Sequence, residues 1–219
     1  MIMKTVQDYA KILDRVKNFD TDSITELDII DIICDFGLSY DNRNLYGTYE
    51  GHMNNPHDLG LWQKPDQLAP LIKFLLNENH TIDSFLEVGT YKASTFLILR
   101  EFLSLKNNNL FSMTIDPNKQ VSEEFISFFN INYKQSSIHD LEGGYDLIFI
   151  DGDHAYDSAK SDYEKALSLG PKYILFHDIQ DKYCPGVVEL WNEIKSAGMN
   201  NVEFNTNDNI MGLGLVILK

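Results

Sequence analysis

From residue 84 onward, short β-rich runs alternate with helical ones, and this constrains the fold more than any other feature of the sequence. The strand candidates are SFLEVG (84–89), LFSMTID (110–116), NYKQSS (132–137), YDLIFIDG (145–152) and YILFHD (173–178). The helical stretches KASTFLILREFLSL, VSEEFISFF and AKSDYEKALSL fall between most of them. Strands and helices in alternation predict βαβ units, and so a parallel sheet covered on both faces. After GVVELWNEIKSAG come VEFNTN (202–207) and GLGLVILK (212–219), separated only by DNIM. Four residues are too few for a helical crossover, so these two strands predict an antiparallel hairpin at the sheet edge. The expected fold is α/β: a Rossmann-like, doubly wound sheet of five parallel strands, followed by a C-terminal antiparallel hairpin.

The first 80 residues read differently. VQDYAKILDRVKNF places Tyr9, Ile12, Leu13, Val16 and Phe19 on one helical face. SITELDIIDIICDF opens on Ser23 with Glu26 three places later, the spacing of a capping box. PDQLAPLIKFLLNEN is a third helix, with Pro70 expected near its start. Residues 38–63 have no periodicity and are rich in Asn, Gly, Tyr and His; so long a loop is mobile or functional. The division expected is a helical N-terminal extension containing that long loop over 1–80, then an α/β domain over 81–219.

Acidic residues outnumber basic ones 33 to 18, for a net charge of −15, with no basic cluster. Phosphate neutralisation needs Lys and Arg, so nucleic acid and anionic membranes are poor partners. A neutral or cationic small molecule suits the charge better. No apolar run approaches the ~20 residues of a membrane span. The N-terminal stretch alternates charge with apolar residues and is not expected to act as a signal peptide. Cys34 and Cys184 lie far apart, which favours a reducing, cytoplasmic setting over a disulfide framework. A homo-oligomer is compatible with the sequence, which leaves oligomeric state open.

The chemistry is expected beyond the carboxyl ends of the strands, near the switch point of the sheet. Polar groups collect there: Glu87, Gly89 and Thr90 after the first strand, Asp116 after the second, and Ser136 and Ser137 after the third. DGDHAYD (151–157) follows the apolar run YDLIFI, and the fifth strand ends in His177 and Asp178. EVGTYKAST turns from strand to helix with few side chains in the way, offering backbone N–H groups to a ligand. It is not G-x-G-x-x-G, so the pyrophosphate fingerprint is weak. Asp116 is placed to accept hydrogen bonds from ribose hydroxyls.

FLEVGTYKAST, TIDP, YDLIFIDGDHAYDSAKSDYEKAL and YILFHDI together resemble class I S-adenosylmethionine-dependent methyltransferases. More narrowly they resemble the metal-dependent sugar O-methyltransferases of macrolide and aminocoumarin tailoring, as do LGLWQKPDQLAPLIKFL and CPGVVELWNEI. The resemblance spans roughly residues 59–219 and is most specific at IDGDHAY and FHDI. It implies that Glu87, Gly89, Thr90 and Ser94 cradle the methionine part of S-adenosylmethionine, that Asp116 binds the ribose, and that Ser136 and Ser137 lie near the adenine. Gln63, beside Trp62, lines the cofactor pocket or packs a helix. Asp151 borders the cofactor and, with His177 and Asp178, falls where metal-dependent members place three ligands. His154 falls where a general base is expected, with Asp153 beside it. Two positions depart from the family pattern: Ala93 replaces a usual glycine, and His177 stands where an acid is commoner.

Oxygen ligands favour Mg²⁺, and an added imidazole moves the preference toward Mn²⁺, Fe²⁺ or Zn²⁺. Mg²⁺ or Mn²⁺ is the ion expected. A bound divalent ion makes a poorly nucleophilic hydroxyl easier to deprotonate, and histidine titrates in the range needed to take the proton. Structural alternatives stand beside these roles. His177 could bond a carbonyl, His154 could hold the 153 loop, and Asp153 could cap the next helix. His80 and His139 read as ordinary loop residues. The expected activity is O-methyl transfer to a hydroxyl of a sugar, in a glycan or glycoside, assisted by a divalent metal. Tyr46, Tyr49, His52 and His57 would form the acceptor lid. The rivals are a catechol or phenol O-methyltransferase, an NAD-dependent oxidoreductase, and a cofactor-binding partner without turnover.

Overall fold

The computed structural model describes residues 4–36, 62–77 and 81–218. Tyr46, Tyr49, His52 and His57, expected to form a lid, and His80 lie outside the described residues. The chain divides into two compact units. The first comprises residues 1–81, 92–109 and 121–131; the second comprises 82–91, 110–120 and 132–219.

The first unit is helical: α1 (Val6–Val16), α2 (Glu26–Phe36), α3 (Pro65–Leu75), α4 (Ser94–Ser104) and α5 (Glu123–Phe128). A reciprocal cap starts α1: the Asp8 N–H donates to Thr5 Oγ1, and the Thr5 N–H donates to Asp8 Oδ2. Val6, Tyr9, Leu13 and Val16 form its buried face, while Ile12 and Phe19 are only half-buried. The cap of α2 is Thr25 with Asp28, not Ser23 with Glu26. A turn explains the shift, because the Ser23 and Ile24 N–H groups both donate to the Asp20 carbonyl and Ile24 is buried. Pro70 lies in the second turn of α3, where it removes one intrahelical hydrogen bond. Tyr9 packs against Phe36 and Phe125, with ring centroids 5.1 and 5.8 Å away.

The second unit carries β1 (Ser84–Val88), β2 (Phe111–Ile115), β3 (Tyr133–Lys134), β4 (Leu147–Ile150), β5 (Tyr173–His177), β6 (Asn201–Phe204) and β7 (Leu213–Ile217), with α6 (Tyr156–Ser168) and α7 (Pro185–Ser196). The strands form one seven-stranded sheet in the order β3-β2-β1-β4-β5-β7-β6. The first five are parallel, and β7 runs antiparallel to both β5 and β6. The fold is the expected Rossmann-like α/β sheet with its reversed C-terminal pair. The third strand is only two residues long, and the hairpin connection runs from 205 to 212 rather than through DNIM alone. Asn209, Met211 and Gly212 all take positive φ in that connection, so it cannot continue the strands.

Side chains alternate between the sheet faces. Leu86, Val88, Met113, Ile115, Ile148, Ile150, Ile174, Phe176 and Val216 share one face, against Ala159 and Ala166 of α6 and Val187, Leu190, Trp191 and Ile194 of α7. Glu87, Thr114, Phe149 and His177 belong to the other face. Strand order reverses between β1 and β4, so the ligand crevice of this topology opens at their carboxyl ends.

Candidate active site

Gly89 and Asp151 leave β1 and β4 side by side. The Gly89 N–H donates to the Ile115 carbonyl and the Asp151 N–H to the Val88 carbonyl, extending the ladder by one step. Gly89 has φ +96°, and a β-carbon there would lie 2.0 Å from the Asp151 carbonyl oxygen. Only glycine allows this approach. Tyr91 and Ala93 also have positive φ, so the turn from β1 to α4 alternates its backbone hand. Asp116 organises that turn: its Oδ2 accepts from the Thr90 and Tyr91 N–H groups at 3.1 and 3.2 Å, and its Oδ1 from the Asn118 N–H.

Glu87 is buried, and Thr114 Oγ1 donates to its Oε2 at 2.6 Å. Thr90 Oγ1 lies 2.7 Å from Thr114 Oγ1, which makes a buried hydroxyl chain. Burial lifts the Glu87 carboxyl well above its ordinary range; the Thr114 hydroxyl opposes this, while Asp151 and Asp116 add to it. Thr114 was not singled out in the sequence, although its alternate position on β2 places it beside Glu87.

At the end of β5, His177 Nδ1 sits 3.1 Å from Asp151 Oδ1 and 3.2 Å from Asp178 Oδ2. The pairing of Ile150 with Phe176 brings Asp151 level with His177. Burial works against a charged imidazole here, but Asp151 and Asp178 outweigh it and hold His177 well above the usual histidine range. Burial likewise opposes ionisation of Asp178, but the charge of His177 pulls that carboxyl below its ordinary value. Asp178 takes φ +61°, a left-handed conformation that a short polar residue tolerates better than most. His177 Nε2 is buried with no hydrogen-bond partner among the described residues. The carboxylates therefore set the ring's orientation from its Nδ1 side.

The three side chains fit a divalent cation. Adjacent ligands of an octahedral ion with bonds of about 2.1–2.2 Å lie about 3.0–3.1 Å apart, close to the separations found. Two carboxylates and one imidazole suit Mn²⁺ or Fe²⁺ at least as well as Mg²⁺.

His154 approaches from the loop after β4, its Nε2 3.2 Å from Asp178 Oδ2. Such a pair fixes the tautomer, with Nε2–H donating to the carboxylate and Nδ1 left as proton acceptor. Asp153 bonds locally. Its Oδ1 accepts the Ala155 N–H at 3.1 Å, and this bond, together with the Ser158 hydroxyl, holds its carboxyl below the usual range. Asp153 thus shapes the start of α6. Ser137 caps the 3₁₀ turn Ile138–Asp140, and Ser136 Oγ lies 3.2 Å from Asp140 Oδ2. His139 lies 3.2 Å from the Ser161 hydroxyl. In the first unit, Ser94 is the buried first residue of α4, and Gln63 is buried just ahead of α3.

Two contributors were missed. Cys184 is buried, with its Sγ within 4.8 Å of an Asp178 carboxylate oxygen. Gly186 fits against the backbone of 154–156, where a β-carbon would lie 2.3 Å from the Tyr156 nitrogen. The signal for both was CPG at a helix start, since proline there fixes the first turn.

The carboxyl ends of the strands gather this cluster over a seven-stranded sheet with a reversed edge pair. Residues 86–179 match the family model described as "Methyltransferase domain", and so carry that domain's sequence signature. The fold is similar to SAH-bound Podospora anserina methyltransferase PaMTH1, at 12% identity and TM-score 0.54, covering 100% of this chain and 99% of that one. It is also similar to the O-methyltransferase from Bacillus cereus in complex with SAH, at 13% identity and TM-score 0.53, covering 100% and 94%. A third similar structure is the O-methyltransferase TomG from Streptomyces achromogenes, involved in tomaymycin synthesis and in complex with SAM, at 14% identity and TM-score 0.50, covering 74% and 82%. No curated protein gives a significant sequence match.

Proposed function

We propose that the protein is an S-adenosylmethionine-dependent O-methyltransferase that uses a divalent cation to act on a sugar hydroxyl. The observation that carries the reading is the Asp151, His177 and Asp178 triad at the carboxyl ends of adjacent strands, with His154 against Asp178. The methyltransferase-domain match over 86–179 supports the cofactor class. Two fold neighbours described as O-methyltransferases support oxygen as the acceptor atom.

A bound divalent ion would supply the charge that makes a hydroxyl easier to deprotonate. Asp151, His177 and Asp178 would hold that ion. His154, oriented by Asp178, takes the proton at Nδ1. The turn from Gly89 to Tyr91, held by Asp116, gives the methionine end of the cofactor a close backbone approach. The Glu87 carboxyl lies where a cationic amino group would offset its burial. The sugar acceptor rests on the sequence resemblance, and the same ion would serve a catechol.

The test is calorimetric titration of S-adenosylmethionine with and without Mg²⁺ or Mn²⁺, followed by methyl transfer to a panel of glycosides and catechols. Cofactor binding with metal-dependent transfer to a glycoside supports the proposal. Transfer to catechols alone replaces the acceptor, and absence of cofactor binding ends the methyltransferase reading.

A further inference from the structure

We infer that His154, Asp178 and Cys184 form a second cation site, for a thiophilic divalent ion of the Zn²⁺ class, sharing Asp178 with the first triad. One ligand atom from each lies within 4.8 Å of the other two. His154 Nε2 is 3.2 Å from Asp178 Oδ2, and Cys184 Sγ lies within 4.8 Å of an Asp178 carboxylate oxygen. Imidazole, carboxylate and thiolate make a donor set that favours Zn²⁺ or Co²⁺ over Mg²⁺. The first triad has no sulfur and takes the harder ion.

The site is built in advance of any ion. Cys184 is the N-cap residue of α7, and its N–H donates to the Asp181 carbonyl at 3.0 Å. Asp181 is itself fixed, accepting from the Met211 N–H at 2.9 Å and the Tyr183 N–H at 2.8 Å. Gly186 presses the His154 loop onto the first turn of α7. His154 is 47% exposed while Asp178 and Cys184 are buried, so an ion would enter on the His154 side.

Cys184 is not poised as a redox nucleophile. Burial, with Asp178 and Asp181 adding to it, pushes the thiol's pKa far up, so without a cation it stays protonated. A divalent ion reverses that balance: the S–H bond breaks, the sulfur–metal bond forms, and the proton leaves to solvent. The site stands on its own geometry. Its catalytic consequence rests on the proposed methyl transfer: an ion there ties down His154 and draws on Asp178, so Zn²⁺ inhibits.

The test is a Co²⁺ titration of the reduced, metal-free full chain, read by the near-ultraviolet thiolate-to-cobalt band and by bound metal after desalting. The wild type is expected to show the band and two equivalents of Co²⁺. Cys184→Ser should lose the band and one equivalent, and Cys34→Ser should keep both. Asp151→Asn should keep the band while losing the first ion. His154→Gln should keep the band with affinity at least about tenfold weaker; it carries the test if Cys184→Ser does not fold. No band in the wild type overturns the inference, as does a band that survives Cys184→Ser. A band lost with Asp151→Asn would make the two groups one site and overturn it too. Cofactor calorimetry is read separately, so failure of the methyltransferase reading would leave the cobalt result standing.

Discussion

Gly186 and His154 are in backbone contact: a β-carbon on Gly186 would lie 2.5 Å from the His154 carbonyl oxygen. Helix α7 and the loop after β4 are locked together at the point where His154 meets Asp178. Gly186→Ala should therefore destabilise the protein by about 1–3 kcal/mol, the cost of overpacking, despite alanine's better helix propensity. Gly152→Ala, in the same loop, meets nothing closer than 3.7 Å and should change stability by less than about 0.5 kcal/mol. Urea unfolding of the two variants checks the contrast. Equal, small effects would mean that the loop and helix are not locked.

The carboxyl of Glu87 should make stability depend on pH. Its pKa in the folded chain is raised by burial above the ordinary 4.5. The folded state then holds the proton more tightly than the unfolded one. The contribution is fully present below pH 4.5 and is lost as pH rises through the folded pKa. Glu87→Gln keeps the shape without the ionisation. Relative to this variant, wild-type Tm should fall as pH rises from 5 toward 9, and parallel Tm curves would contradict the assignment. Under the proposed function, the same variant should bind S-adenosylmethionine more weakly.

Most of the sheet was legible because β4 and β5 are buried on both faces and read as unbroken apolar runs. The strand-end triad followed from it, since parallel register carries Asp151 and His177 to the same level. Ala93 shows why glycine is usual at its position, for the backbone there is left-handed at φ +65°. Other features depended on short turns whose geometry hydrophobic periodicity does not encode. Cys184 meets Asp178 across the short turn from β5 to α7, and Asp153 Oδ1 is taken up by the Ala155 N–H. The α2 cap moved from Ser23 to Thr25 because burying Ile24 requires a turn first.

Under the proposed function, Asp151 should matter for the ion more than for the fold. Outer-sphere changes typically weaken metal binding by about 10–100-fold, so replacing a direct ligand should cost at least about a hundredfold. Asp151→Asn keeps the size of the side chain and its place at the end of β4. Mn²⁺ affinity measured by calorimetry should fall by at least that factor while circular dichroism stays unchanged. Affinity within about tenfold of wild type would remove Asp151 from the ligand set.

The edge pair is held by one buried ring. Trp191 of α7 lies over Gly214 of β7, where a β-carbon would come within 2.6 Å of the indole. Glu203 pairs with Gly214 across the strands, so its side chain rises beside the ring, and the Trp191 Nε1–H donates to Glu203 Oε1 at 2.6 Å. Lys195 reaches the same oxygen at 2.7 Å and, with the indole, holds the Glu203 carboxyl below its ordinary range despite partial burial. Glu203→Ala leaves the indole N–H buried without an acceptor, which should cost about 1–3 kcal/mol in urea unfolding. Lys195→Ala removes only the half-exposed ion pair and should cost no more than about 1 kcal/mol. If the two variants unfold at the same midpoint, the indole bond is not what secures α7 to the hairpin.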